Sequence, residues 1–480
     1  MSRRFLAVFL FAVPAFLATL AGCAAAPTRP AADLAGRTPA ADVFQQCKDS
    51  VVNLGMRRKD DKDPKIVHTE YASGIVLHES GYILTNAHLL RRGGGDTGSA
   101  GFDRGKEFVF KAVAVDDARD IAVLKINAGK PLKPFALGVS RDLFVGETVI
   151  AMGNPYGMGL TVSQGIVSAL GRSTESEFTY FPDMIQTGAS TNPGNSGGPL
   201  LTVRGDLVGM NTTEKMGANN IAFAIPVDRI RDALPNVLDP EGRFGFVLGL
   251  QVAMDGPPRV TAVAKGSPAA AGLAVGDVIT GLGAAKVASG LDFYLALMDC
   301  RPEHSVPIRF ERSGAAMELV VVPAKAEVRP SENPKNLVAG LRRDYYTGKW
   351  EKLPDFAGLQ PAATEKADRF ELGPYADKER FGLKFTGYVE VPADGVYTFY
   401  VRSDDGSRLY ISNRLVVDND GTHTTMEKRG FIPLKAGKHP ITVTYFQNVR
   451  SADLKVSWEG PGLKRQPIPA AALFSAGSTK

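Results

Sequence analysis

Asn192-Pro193-Gly194-Asn195-Ser196-Gly197-Gly198-Pro199-Leu200 is the stretch on which the reading of this chain turns. A single serine lies among glycines. A serine hydroxyl is a weak nucleophile unless a base takes its proton as it attacks. Gly194 can adopt dihedrals closed to other residues, which lets the N–H groups of Gly194 and Ser196 point at one spot. Donors arranged in that way stabilise a developing oxyanion, each by roughly 2.7–4 kcal/mol of barrier. The stretch therefore asks for a base and for something to orient it. Thr85-Asn86-Ala87-His88 offers an imidazole, whose free pKa lies near working pH. Arg119-Asp120-Ile121-Ala122-Val123-Leu124 offers a carboxylate to fix the tautomer and stabilise the imidazolium. Any one of the three alone reads as an ordinary turn or surface residue. Together, His88, Asp120 and Ser196 make a coincidence a poor explanation.

The order His, Asp, Ser along the chain is that of the chymotrypsin fold, not of subtilisins or α/β-hydrolases. Further motifs stand around it: Ser73-Gly74, Gly81-Tyr82-Ile83-Leu84, Gly153-Asn154-Pro155, Ile185-Gln186-Thr187 and Ala222-Phe223-Ala224-Ile225-Pro226. Across residues 43–325 these resemble the HtrA (DegP/DegQ-type) protease family. The resemblance implies ATP-independent endoproteolysis of misfolded or signalling proteins in the bacterial envelope, with no cofactor for catalysis and with a homotrimer as a common assembly. It also implies that Ser190, six residues before Ser196, lies at the base of the specificity pocket, with Ile221, Ala222 and Phe223 in its wall. Ser190 in place of an aspartate argues against Lys/Arg preference and for small or medium aliphatic side chains. Two departures stand out. Gly188-Ala189-Ser190 replaces the family's usual Asp-Ala-Ala, and a glycine-rich stretch from Arg91 to Gly105 replaces a strand and turn.

Short strand-like runs separated by Gly, Asn and Pro fill residues 42–240, which suggests barrels or sandwiches. Val227, Ile230 and Leu234 keep helical spacing, and Pro235 is expected to stop or kink that helix. A second unit, 244–325, carries Val247-Leu248-Gly249-Leu250, Gly266-Ser267-Pro268 and Gly276-Asp277-Val278-Ile279. It resembles an HtrA-type PDZ domain. Such a domain adds a peptide strand to its own sheet edge. The resemblance implies that the N–H groups around Val247, Leu248, Gly249 and Leu250 receive the carboxylate of a hydrophobic C-terminal peptide. A packing module that binds no peptide is the alternative.

Residues 326–336 are polar with two prolines and read as a linker. In the third unit, 337–476, apolar residues alternate: Phe381, Leu383, Phe385; Tyr397, Phe399, Val401; Ile441, Val443, Tyr445; Leu454, Val456, Trp458. Period-two runs with Gly/Asp/Asn turns argue for an antiparallel β-sandwich. Ser403-Asp404-Asp405-Gly406 and Trp458-Glu459-Gly460-Pro461-Gly462 resemble the β-rich module named after the protective-antigen toxin component. Where that module binds glycans, adjacent aspartates hold calcium, and Asp404 and Asp405 match the pair. Carboxylates on a loop suit calcium. The same residues also make ordinary turns.

The expected class is therefore mainly β: a chymotrypsin-like double β-barrel, a PDZ domain and an antiparallel β-sandwich. The chain has 480 residues and a formal net charge of only +5, with no dense Lys/Arg block, which argues against a nucleic-acid partner. Arg3 and Arg4, an apolar run from Phe5 to Leu20 and Leu20-Ala21-Gly22-Cys23 form a secretory signal over 1–22. The apolar run is short for a membrane span of about 20 residues. The segment resembles a bacterial lipoprotein signal, which implies acylation of Cys23 and a membrane contact through lipid. Ala24 after the cysteine favours the outer membrane, facing the periplasm or the cell surface. Residues 23–41, rich in Ala, Pro and Thr, read as a tether. Cys47 and Cys300 are far apart in sequence and read as unpaired thiols. The rival to an enzyme is a glycan-binding adhesin or chaperone on a protease-like scaffold; the presence of all three candidate triad residues favours the enzyme.

Overall fold

The computed structural model describes residues 38–477 apart from 60–64, 66, 94–96, 103–104, 176–179, 191, 215–220, 424 and 450–451. The signal segment and Cys23 lie outside the described residues.

A first closed barrel is built from β1 (Val51–Lys59), β2 (Val67–His78), β3 (Tyr82–Thr85), β4 (Thr97–Gly101), β5 (Glu107–Asp116) and β6 (Ile121–Lys125), in the order β1-β2-β3-β6-β5-β4. Its interior is apolar, with Val52, Leu54, Val76, Ile83, Leu124 and Phe110 all buried. Side chains of this size contribute about 1.5–3 kcal/mol each on full burial. The glycine-rich segment departs from expectation, because it contains a strand. β4 pairs antiparallel with β1 and β5. Its small residues are what the site requires: a Cβ on Gly98 would strike the ring of Phe110 and the carbonyl oxygen of Gly55.

The second barrel comprises β7 (Thr148–Gly153), β8 (Thr161–Glu175), β9 (Tyr180–Thr187), β10 (Pro199–Thr202), β11 (Leu207–Glu214) and β12 (Ala222–Pro226), closed in the order β10-β11-β12-β9-β8-β7. A helix, α1 (Pro39–Cys47), precedes the first barrel, and another, α2 (Ala87–Gly93), follows β3. α3 (Val227–Leu238) leaves the second barrel and buries Val227, Ile230 and Leu234. Pro235 does not stop α3: the helix carries it in its last turn and ends at Leu238, and the Asp239 N–H still bonds back to the Pro235 carbonyl at 2.9 Å. A proline forfeits only its own N–H and leaves its carbonyl free to accept.

A short helix, α4 (Pro240–Phe244), leads into the PDZ unit. There, Phe246–Val247 pairs with Ala324–Lys325, Leu250–Val252 pairs with Val260–Val263, and a four-stranded sheet lies beside α5 (Gly290–Leu297). Residues 326–336 are held against the third unit, with Arg329 N–H donating to the Pro433 carbonyl at 3.0 Å and Glu332 N–H to that of Lys438 at 2.8 Å. The third unit has an eight-stranded and a four-stranded antiparallel sheet. The alternating residues named above all point into its core, where Phe381, Phe385, Phe399, Tyr445 and Trp458 are buried.

The third unit docks on the first. The Arg429 guanidinium donates to the carbonyl of Val237 in α3 at 3.0 Å, and the Arg243 guanidinium of α4 lies 5.4 Å from the ring centre of Phe431. Between them is a cavity of about 160 Å³, lined on the barrel side by Asp116, Asp117 and Arg119. These residues immediately precede Asp120.

Candidate active site

Two short structural facts bring His88 and Asp120 together. β3 and β6 are antiparallel neighbours with Thr85 opposite Ala122, so the end of one strand lies beside the start of the other. His88 follows β3 in the first turn of α2, and Asp120 directly precedes β6. The His88 Nδ1 is 2.9 Å from Asp120 Oδ2 and 3.0 Å from Oδ1, and the His88 backbone N–H donates to Oδ1 at 2.8 Å. The Thr212 hydroxyl donates to Oδ2 at 2.8 Å. Asp120 is fully buried and holds a left-handed φ of 56°, in which the Asn86 carboxamide reaches its carbonyl. Burial works to raise its carboxyl. The charge of His88, the hydrogen bonds from His88 and the one from Thr212 outweigh it and hold the group below the usual carboxylate range.

Ser196 lies on the loop before β10 of the other barrel, and both barrels hold that loop. From the first, the Ser73 N–H on β2 donates to the Ser196 carbonyl at 2.9 Å, and the Ser73 hydroxyl donates to the Gly194 carbonyl at 2.7 Å. From the second, the Gly197 N–H donates to Asn211 on β11 at 2.8 Å, and Asn211 returns an N–H to Gly198 at 2.8 Å. Gly194 has φ 108°, and a Cβ there would strike the carbonyl oxygen of Asn154. The Pro193 carbonyl accepts from the Tyr156 N–H at 3.1 Å. A trans peptide points its C=O and N–H in opposite directions, so the Gly194 N–H faces away from that loop. Neither the Gly194 nor the Ser196 N–H has an acceptor among the described residues.

The Ser196 hydroxyl itself donates to the Thr212 carbonyl at 2.6 Å, and no hydrogen bond joins it to His88 among the described residues. Thr212 is a functional neighbour that no motif singles out, and Ser73, part of the Ser73-Gly74 motif, acquires a role only through these contacts. Each lies far in sequence from the loop or carboxylate it serves. Of the residues assigned to the specificity pocket, Ala222 and Phe223 are buried on β12 and Ile221 is half-buried just before it. Ser190 is exposed, and its carbonyl accepts from the Ser163 hydroxyl at 2.8 Å.

In the PDZ unit, the N–H groups of Leu248 and Gly249 both donate to Glu241 Oε1, at 3.1 and 3.0 Å. Burial pushes the Glu241 carboxyl up, against the pull of those two N–H groups. In the third unit, burial and then the Asp405 charge push the Asp404 carboxyl up to about 6. Asp405 accepts from the backbone N–H of Asn448 at 2.7 Å and of His423 at 3.2 Å. No group of three or more His, Cys, Asp or Glu is placed to share a metal among the described residues. The Asn419 and Asn448 side-chain oxygens beside this loop are buried without a donor, however. Crowded carboxylates and orphaned amide oxygens are hard donors of the kind calcium takes. Cys47 and Cys300 are both buried and free, and burial pushes the Cys300 thiol up to about 11.

The fold is mainly β, and its two closed six-stranded barrels are those of a chymotrypsin-like serine endopeptidase. Residues 72–210 match the trypsin-like peptidase domain, 247–322 the PDZ domain and 340–471 the PA14 domain. The serine endoprotease DegS of Haemophilus influenzae is 35% identical over 260 residues, covering 52% of this chain and 76% of that protein. The periplasmic pH-dependent serine endoprotease DegQ of Escherichia coli is 33% identical over 318 residues, covering 61% of this chain and 69% of that one. Protease Do-like 1 of Arabidopsis thaliana is 35% identical, covering 61% and 72%. The chain belongs to the HtrA/Deg family of serine endoproteases, with a PA14 domain added at its C-terminal side.

Proposed function

We propose that this enzyme cleaves proteins, misfolded or surface-exposed, through a triad of Ser196 as nucleophile, His88 as general base and Asp120 as its orienting carboxylate. The observation that carries the reading is the hydrogen-bonded His88–Asp120 pair, linked through Thr212 to Ser196 on a loop pinned by both barrels. Ser196 Oγ attacks the scissile carbonyl as His88 takes its proton, and the N–H groups of Gly194 and Ser196 hold the oxyanion. His88 then returns the proton to the leaving amine, and water releases the acyl-enzyme. Ser190, Ile221, Ala222 and Phe223 set a preference for small or medium aliphatic side chains before the cut.

The PDZ unit supplies a dock for a hydrophobic C-terminal peptide at Val247, Leu248, Gly249 and Leu250. The PA14 unit binds glycans, with Asp404 and Asp405 holding calcium. This places the protease on glycan-rich material in the cell envelope, anchored through a lipid on Cys23.

The test is labelling by a fluorophosphonate probe of chain lacking residues 1–23, beside Ser196→Ala. Labelling that disappears in the variant supports the assignment. Labelling that persists in the variant, or that never appears even with unfolded protein added, overturns it.

A further inference from the structure

The proposed carboxylate loop of the PDZ unit already holds a carboxylate, and it belongs to the chain itself. Glu241 Oε1 receives the Leu248 N–H at 3.1 Å and the Gly249 N–H at 3.0 Å. Gly249 has φ 75°, the left-handed turn that lets two consecutive N–H groups converge on one oxygen. A Cβ at that position would strike the Ser267 side chain, so the turn depends on glycine twice over. The strand Leu250–Val252 pairs with Val260–Val263 alone among the described residues, so its other edge takes no strand. Tyr294 of α5 is buried, and the Val252 N–H of that strand is directed at its phenol oxygen.

We propose that Glu241 is a built-in ligand of the PDZ unit: its side chain takes the place of a peptide's terminal carboxylate and must leave before a peptide can bind. This rests on the reading of Leu248–Leu250 as a carboxylate loop. One oxygen consumes two N–H groups, and each N–H donates one hydrogen bond, so the two carboxylates compete directly. A site available only when Glu241 departs shows an apparent affinity reduced by the fraction of time it is open.

The departure does not stay local. Glu241 sits on α4, a five-residue helix whose Arg243 and Phe244 reach two different units. The Phe244 ring lies 4.0 Å from the Arg301 guanidinium of the PDZ unit, and the Arg243 guanidinium faces Phe431 of the PA14 unit. Gly245 just beyond packs against Val396 of the same unit so closely that a Cβ would strike it. Asp239 accepts the Gly242 N–H at 3.0 Å and joins α4 to the end of α3. A peptide that expels Glu241 therefore pulls on a short segment where the protease, PDZ and PA14 units meet.

The experiment compares the full chain carrying Ser196→Ala, to prevent cleavage, with the same chain also carrying Glu241→Ala or Glu241→Gln. Binding is read by fluorescence anisotropy with labelled decapeptides ending in apolar residues, each as the free acid and as the C-terminal amide. Glu241→Ala is expected to tighten binding of the acids by at least about tenfold. The amides gain nothing, and Glu241→Gln falls between, because its oxygen still accepts but carries no charge. Hydrogen exchange at Leu248 and Gly249 gives a second reading on the same samples: slow in the parent, fast in Glu241→Ala, and slow again with acid peptide. Acids that bind parent and Glu241→Ala equally tightly overturn the built-in ligand and leave the peptide site standing. Acids that bind neither chain, or no better than amides, overturn the carboxylate-loop reading and the proposal with it.

Discussion

The hydroxyl of Ser196 donates to the carbonyl oxygen of Thr212 at 2.6 Å. The same Thr212 donates its own hydroxyl to Asp120 at 2.8 Å, so one residue on β11 holds both the nucleophile and the carboxylate behind the base. For attack, the Ser196 proton has to turn from Thr212 to His88. The resting chain should therefore label slowly with a fluorophosphonate, and unfolded protein should accelerate the labelling. A resting rate that is already maximal and indifferent to added substrate would show that the Thr212 carbonyl restrains nothing.

The Asp120 carboxyl is held below its usual range, so its contribution to stability is present above an unfolded pKa of about 3.9 and is lost as pH falls through the lower folded value. Asp120→Asn should therefore flatten the acid limb of the stability curve, read as the unfolding midpoint between about pH 2 and pH 5. It should also lower kcat by roughly 10⁴, because an amide facing His88 favours the wrong tautomer. A variant with near-parent kcat would remove Asp120 from the triad.

Gly194 carries two demands at once, a φ of 108° and no room for a Cβ beside Asn154. Gly194→Ala should displace the loop from the Asn154–Tyr156 segment and turn the Gly194 N–H away from the oxyanion. The expected loss in kcat is about 10²–10³, with KM little changed, as for the loss of one oxyanion donor. A matching rise in KM would mean that the residue shapes substrate binding instead.

How much of this was legible in the sequence depended on how local the chemistry is. Gly194 and Ser196 announce themselves because turn geometry is written in neighbouring residues, and the core of the third unit is readable from its alternation of Phe381, Leu383 and Phe385. The strand at Thr97–Gly101 was hidden, since Gly98 is selected by the bulk of Phe110, its partner on β5, and neither Gly98 nor Ala100 carries a β preference of its own. Thr212 was hidden for a related reason, since a lone hydroxyl becomes meaningful only when folding places it against Asp120; Ser73 stood in a motif, but nothing local tied it to Gly194. Pro235 misled because a proline in a last turn removes a single hydrogen bond, which packing of Ile230 and Leu234 readily offsets. The contact of Arg429 with Val237 joins residues 192 apart, and that of Glu241 with Leu248 depends on how α4 turns into the PDZ unit; no periodicity within a strand or helix encodes either.

Asp404 gives a test of the PA14 unit that does not depend on finding its glycan. Its carboxyl is raised to about 6 by burial and by Asp405, so between the unfolded value near 3.8 and about 6 the folded chain binds more protons than the unfolded one. Stability must then fall as pH rises through 6, and at neutral pH the ionised pair is a standing penalty of about 1–3 kcal/mol. Calcium bound between the carboxylates would convert that penalty into affinity. In chelator, Asp404→Asn should unfold at a higher temperature than the parent at pH 7.5, and the two should converge near pH 4. With millimolar calcium the parent should gain stability while Asp404→Asn does not. A parent indifferent to calcium, with the variant still the more stable, would leave Asp404 and Asp405 as a strained turn and remove the metal from the proposal.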